Sequence, residues 1–404
     1  MIRVDEALAK ILALAQPRPA TRVPLPAALG RVLAEDVTSD IDSPPHDKAL
    51  MDGYAVIASD IDGPEVRLRV VEEVTAGEVP SRPVHSGEAT RIMTGAPIPK
   101  GADAVVMVEQ TKAAGDGNAI ECQTTTATIG QNIMPRGTSL RAGQVVLQAG
   151  QTIRPIEIGV LAECGADEVA VFPTPTAAVL STGNELVPVS ELPDTGQIRN
   201  SNGPMLGALV CRAGSQPVDL GIGRDDRSEL MDRVQRGLRE DVLILSGGVS
   251  AGVMDLVPGV LRENGVEEVF HKVKLKPGKP LWFGTRRSAA ATTLVFGLPG
   301  NPVSSLVCFE LFVRPALRAL AGHGDGGLPR RRARLTSAFQ HRGDRPTYFP
   351  SRLVEEQGGW LAEPLPWKGS ADLRTLADAN GLIHFPPGKR TYSPGDIVEV
   401  CVFQ

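Results

Sequence analysis

At 404 residues the chain exceeds what one hydrophobic core organises, because single cores stop growing near ~250 residues, so two or more domains are expected. Hydrophobic residues make up 42%, enough for packed cores, and no apolar run reaches the ~18 residues that a membrane-spanning helix needs. With 42 basic against 47 acidic residues the formal charge is −5, which argues against nonspecific binding to nucleic acid or an anionic membrane and leaves any anion site to local clustering.

The chain opens on MIRVDEALAKILALAQ, an amphipathic helix pattern carrying Asp5 and Glu6, with nothing in it that reads as an export signal. Cys122, Cys164, Cys211, Cys308 and Cys401 are far apart and form no C-x-x-C pair, so free thiols in a reducing, cytoplasmic compartment are expected rather than disulfides or a zinc site. A Pro-rich turn at 17–26 and a strand-like RVLAEDVTS follow, ending at the breaker cluster SPPHD. From residue 49 to about 131, short β-type runs (EVRLRVVEEV, AVVMV, AIECQTTTAT) alternate with Gly, Pro and Asp turns and imply a small β module. AGQVVLQAG then leads to the helix IEIGVLAECG, with Pro155 where a first turn tolerates it, and FPTPT reads as a linker.

From residue 176 the pattern becomes β-then-α: TAAVLSTG, GPMLGALVCRAG, QPVDLGIG, RSELMDRVQRGLRE, DVLILSGG, VMDLVPGVLREN, TTLVFGLPG and NPVSSLVCFELFV. Near-continuously apolar strands alternating with helices predict a doubly wound domain on a buried parallel sheet. After AGHGDGGLPRRR, residues 332–404 return to short β runs, a compact C-terminal β domain.

Three strands of the α/β region run straight into small-residue turns, in VLSTGNEL, LILSGGVSAG and VFGLPGNPVSS. Such turns lie at the carboxyl edge of a parallel sheet, where ligands bind, and glycine backbone near a helix start suits a phosphate or other oxyanion. A single one would be explained by turn conformation alone, whereas three on one edge point to a site. HKVKLKPGKP adds Lys272, Lys274, Lys276 and Lys279; if 271–276 is extended, the first three share a face whose repulsion a bound polyanion relieves. The competing reading is a solvated edge strand protected by lysine. Glu185, Asp225, Asp226 and Asp255 stand where a Mg2+ ion with one or two carboxylates would want them, although Asp225, ahead of RSELMDRV, also suits a helix N-cap. No phosphate loop of the G-x-x-x-x-G-K type and no nucleophile-elbow serine is present.

The strings MDGYAV, RIMTGAPIPKGADAVVMVE, STGNEL, SNGPML, SGGVSAGVMD, VKLKPGKPLWFG, GLPGNPVSS and KGSADLRTLADANGL, in this order, closely resemble the molybdopterin molybdenumtransferase family, whose eukaryotic counterpart is the C-terminal part of gephyrin. The resemblance implies a discontinuous domain of residues 1–45 and 140–175, a β module inserted at 46–139, a molybdopterin-binding α/β domain at 176–327 and a β barrel at 328–404. It implies a soluble homodimer with its cleft shared between subunits, and a reaction in which adenylylated molybdopterin and molybdate give molybdenum cofactor and AMP with Mg2+. By position in the motifs, Asp52, Thr94, Lys272, Lys276 and Asp255 would be catalytic, with Asp52 and Thr94 supplied by the partner subunit. Glu185, Asp225 and Asp255 would hold the metal. Glu185, Asp225, Ser246, Gly247, Gly248, Lys279, Pro299, Gly300, Asn301, Pro302 and Ser370 would bind substrate. Read from the residues alone, Asp52 is a turn residue of M-D-G-Y and Thr94 a cap or turn before Gly95. The chain departs from the family at NIMPRGTSL, where Ser139 stands in place of a functional aspartate; a hydroxyl cannot supply that charge. Weaker turnover, another group in that role and altered specificity, for instance for tungstate or another nucleotide pyrophosphate, all stay open, and a non-catalytic scaffold is the alternative of a different class.

Overall fold

The computed structural model describes residues 1–115, 118–248, 256–288, 291–324 and 326–403. The α/β region positions the site. Its six-stranded sheet runs in the order Gln216–Gly223, Thr176–Thr182, Val242–Ser246, Thr292–Leu298, Trp282–Arg287, Glu267–His271. The central strands are parallel in register, from Ala177 opposite Val242 to Ser181 opposite Ser246, and from Val242 opposite Leu294 to Ser246 opposite Leu298. Strand alternation divides their side chains between two cores. Ala177, Val179, Ile244 and Phe296 enter one with helix Asn202–Arg212 and the helical segment 302–320. Ala178, Leu180, Leu243 and Val295 enter the other with helices Arg227–Gly237 and Leu256–Glu263. Both faces are covered, which is why TAAVLS and DVLILS read as unbroken apolar runs.

The sheet is not wholly parallel. Trp282–Arg287 runs antiparallel to both its neighbours. VEEVFH and LWFG do not stand out as strands in the sequence, and short loops rather than a helical crossover join them to each other and to Thr292–Leu298, which makes them hairpins. The expected single helix over NPVSSLVCFELFV is also divided, into Pro302–Cys308, a π-helical turn Phe309–Val313 and Arg314–Leu320. The widened turn buries Glu310, 1% exposed, between Arg212 and Arg314. Burial pushes its carboxyl above the usual range against the pull of both guanidinium groups.

Helix Val4–Leu14 does not pack with the segments that follow it. Ala7 and Ile11 sit in the α/β core beside Phe309 and Phe312. Strand Thr21–Pro24 pairs with Glu168–Val171, and Val37–Thr38 with Val145–Leu147, around Leu33, Ile153 and Leu161. Between these lies a six-stranded mixed sheet ordered Ala104–Met107, Gly53–Val56, Glu88–Ile92, Arg67–Val74, Ala119–Cys122, Thr111–Ala114. The C-terminal region closes a five-stranded barrel of Arg330–Leu335, Gly359–Pro364, Thr347–Glu356, Gly381–Phe385 and Ile397–Val402. We propose the four-part division of the sequence reading as the domains, with Val4–Leu14 docked across onto the α/β unit. Among the described residues no helix is long and apolar enough to cross a membrane.

Candidate active site

The connection after Thr176–Thr182 leads to the outer strand Gln216–Gly223, and that after Val242–Ser246 leads the other way, so a topological switch point opens between their carboxyl ends. A cleft of about 810 Å3 lies there. Glu185, Asp225, Ser246, Gly247, Gly248, Pro299, Gly300, Asn301 and Pro302 all line it. Its turns demand glycine. Gly247 has φ +92°, and a Cβ there would lie 2.5 Å from the Thr182 carbonyl oxygen. Gly183 has φ +146°, a backbone conformation that favours glycine.

The two neighbouring aspartates after Gln216–Gly223 have separate duties. Asp226 caps helix Arg227–Gly237, its Oδ1 accepting from the Ser228 and Glu229 backbone at 3.0 and 2.9 Å and from Ser228 Oγ at 2.6 Å. These bonds hold its carboxyl below the usual range, the Ser228 hydroxyl contributing most. The N-cap reading of Asp225 is therefore corrected. Asp225 instead receives no cap bond, its backbone N–H donates to Asn184 Oδ1 at 3.0 Å, and its side chain is exposed on the cleft.

A second cleft of about 550 Å3 adjoins the first and shares Pro280, Pro299 and Asn301 with it. Lys276, Lys279 and Ser370 line it, together with Arg345, Phe349, Trp367 and Lys368 from the C-terminal region. Asn301 Nδ2 donates to Ser370 Oγ at 2.9 Å and the Val303 N–H to the Ser370 carbonyl at 3.1 Å, tying the α/β edge to the region that closes this cleft. The loop 272–281 between two hairpin strands is not the extended strand expected from its lysines. Lys272 takes φ +69°, which breaks the strand, and it lines neither cleft, while Lys274 is exposed and Val273 and Leu275 are buried. The loop is held instead from outside the domain. Ile2 bridges it, donating to the Lys272 carbonyl at 3.2 Å and accepting from Lys274 N–H at 2.8 Å. Lys276 donates to the Pro346 carbonyl at 3.0 Å and accepts from Tyr348 N–H at 2.9 Å, and Arg345 Nη1 donates to the Leu275 carbonyl at 3.1 Å.

Asp52 and Thr94 come together, but away from both clefts of their own chain: Asp52 Oδ1 accepts from Thr94 Oγ1 and from Thr94 N–H, each at 2.7 Å. The Thr94 hydroxyl, then its backbone, holds the Asp52 carboxyl below the usual range. Asp255 lies outside the described residues. Ser139 is exposed, its N–H donating to the Ser43 carbonyl at 2.8 Å.

Arg199 and Asn202 in the first cleft, and Arg345, Trp367 and Lys368 in the second, escaped the sequence reading. SNGPML and KGSADL flagged the neighbourhoods of Asn202 and Lys368, but nothing local marks Arg345, which is brought in by the bridge of Lys276 to Thr347.

A parallel-edge cleft with glycine turns and exposed carboxylates, adjoining a basic one, marks a multidomain α/β protein with a ligand-sized site at its switch point. Consecutive family models match the chain: MoeA N-terminal region (domain I and II) over residues 2–165, probable molybdopterin binding domain over 178–319, and MoeA C-terminal region (domain IV) over 332–403. A molybdopterin molybdenumtransferase of Staphylococcus aureus is 34% identical over 99% of this chain and 95% of its own. A Mycobacterium tuberculosis protein named molybdopterin molybdenumtransferase 2 is 39% identical over 95% and 93%. The crystal structure of a molybdopterin biosynthesis moeA protein from Pyrococcus horikoshii superposes with a TM-score of 0.84 at 33% identity, covering 100% of this chain and 99% of that one. The chain belongs to the molybdopterin molybdenumtransferase family, transferases of molybdenum cofactor biosynthesis.

Proposed function

We propose that the chain inserts molybdenum from molybdate into adenylylated molybdopterin with release of AMP, the first cleft taking the pyrophosphate and nucleotide and the second the molybdate. The observation that carries this is the continuity of a glycine-turn cleft with a cationic one through Pro299 and Asn301. Backbone N–H groups at Gly248 and Gly300 suit phosphate oxygens, while the Gly247 N–H is spent on the Leu298 carbonyl at 3.2 Å, and Lys276, Lys279, Arg345 and Lys368 suit a small dianion. Ser246, Pro299, Pro302 and Ser370 would shape the two pockets. Lys272, set back from the cleft, would act through its charge on the same loop.

Among the described residues no cluster of three or more His, Cys, Asp or Glu forms an all-protein metal cage. Two exposed carboxylates on the first cleft, Glu185 and Asp225, fit Mg2+, which commonly takes one or two carboxylates and completes its shell with phosphate oxygens and water. Glu185 and Asp225 are the residues that would hold it, with Asp255 proposed as a third. When bound, the ion would supply charge neutralisation at the pyrophosphate. The chain itself would orient the ligand and place the dianion beside the molybdopterin that is to receive the metal. Asp52 and Thr94, paired on an exposed turn, are proposed to complete the cleft of a partner subunit in a homodimer.

The test is AMP release from adenylylated molybdopterin with Mg2+ and molybdate, followed together with cofactor formation, in wild type and Asp225→Ala. Molybdate-dependent release that the substitution removes is expected. A folded wild-type protein that releases no AMP sinks the reading, and release with tungstate in preference to molybdate would redirect it towards another metal.

A further inference from the structure

Two turns that line the first cleft belong to different strands, and one side chain joins them. Asn202, at the start of helix Asn202–Arg212, donates from Nδ2 to Ser246 Oγ at 2.8 Å and to the Gly300 carbonyl at 2.7 Å. A carbonyl only accepts, so the Gly300 bond fixes which end of the amide faces it. Its Oδ1 has no donor among the described residues, and the side chain is therefore oriented by donation alone. The surroundings leave it little freedom: Asn202 is 9% exposed, Asn200 Oδ1 accepts from the Gly203 N–H at 3.0 Å, and a Cβ at Gly203 would lie 3.1 Å from Ser181 Oγ.

We propose that Asn202 is a positioning residue that sets the separation of the Ser246–Gly248 and Pro299–Asn301 turns, and thereby the affinity of the first cleft for the phosphate of its nucleotide ligand. It rests on the reading of that cleft as the nucleotide side. The role needs a neutral group with two N–H donors on a short stem. Aspartate has the same shape but would set a carboxylate against the Gly300 carbonyl, acceptor against acceptor, until protonation restores one O–H. Alanine leaves both acceptors without this donor and the turns unlinked.

The experiment is calorimetric titration of AMP with Mg2+, and separately of molybdate, into wild type, Asn202→Ala and Asn202→Asp, well below the melting temperature of each. At pH 8 the Kd for AMP should rise about tenfold or more in both variants, while that for molybdate stays within about twofold. At pH 5.5 Asn202→Asp should regain affinity for AMP relative to wild type and Asn202→Ala should not. Ser246→Ala, which removes one of the two acceptors, should weaken AMP two- to fivefold and serves if the Asn202 variants do not fold. Unchanged AMP affinity in every variant that folds, or equal loss of AMP and molybdate binding, would overturn the role. A wild type that binds molybdate but no AMP would instead sink the nucleotide reading and this inference with it, a pattern visible before any variant is measured.

Discussion

The two adjoining clefts are built by different means. The first is shaped by backbone: glycine turns with positive φ at the ends of buried parallel strands, with Glu185 and Asp225 as exposed carboxylates. The second is made of charge and rings, with Lys276, Lys279, Arg345 and Lys368 beside Phe349 and Trp367, on a loop held by segments remote in sequence. A site made from backbone should be indifferent to salt and intolerant of a methyl group. A site made from cations on long side chains should behave the opposite way.

The sharpest way to break that contrast is Gly247→Ala. A Cβ would meet the Thr182 carbonyl oxygen at 2.5 Å with φ at +92°, and left-handed backbone alone costs a residue other than glycine ~1–2 kcal/mol, so AMP affinity should fall at least ~tenfold with molybdate affinity kept. Calorimetry on both ligands checks it, and an alanine variant with normal AMP binding would show that backbone shape is not what the first cleft relies on. Next comes Arg345→Ala, which should weaken molybdate roughly tenfold at 20 mM salt and progressively less at 300 mM, since screening shortens the reach of the guanidinium charge to ~6 Å there. A deficit that stays constant with salt would mean the arginine acts through its bond to the Leu275 carbonyl instead.

Asp225 and Asp226 sharpen the contrast within one turn. Asp226→Ala should cost ~1 kcal/mol of stability through the lost cap, lowering Tm by a few degrees with AMP release intact. Asp225→Ala should leave Tm nearly unchanged and remove Mg2+-dependent turnover, so swapped phenotypes would reverse the two assignments. An effect confined to acid pH is expected at His323, whose imidazole is pushed down to about 4 by burial first and then by Arg318 and Arg314. The unfolded chain then binds the proton more readily than the folded one. Stability from neutral His323 is full above its ordinary pKa of ~6.5 and declines as pH falls from there towards 4. His323→Gln should flatten the Tm against pH curve over that window, and parallel curves for variant and wild type would remove the histidine from the account.

The continuous apolar strands announced the buried sheet, and the three glycine turns announced the edge where its cleft opens, because both follow from local rules of burial and backbone conformation. What stayed hidden was set at a distance. Lys272 was read onto a common face with Lys276 from strand periodicity, but positive φ turns the chain there, its N–H closes the loop onto the Leu281 carbonyl, and its carbonyl is taken by Ile2 from the far end of the chain. Arg345 carries no local signature, being one of many arginines in an exposed β region until a bridge sets it beside Leu275. The split between Asp225 and Asp226 could not be read either, since either aspartate suits a cap by sequence and only the direction of the entering chain decides.

The bridge between Lys276 and the barrel also bears on the order in which the protein can be made. Chains fold as they leave the ribosome, amino end first. The turns of the first cleft, from Gly183 to Pro302, are all synthesised before the segment that pins Lys276 and carries Arg345 has left the exit tunnel. A nascent chain can therefore form the glycine turns of the first cleft while the basic loop still lacks its downstream clamp, but neither cleft is whole until the C-terminal region brings Ala371 and Leu373 to the first and Arg345 and Lys368 to the second.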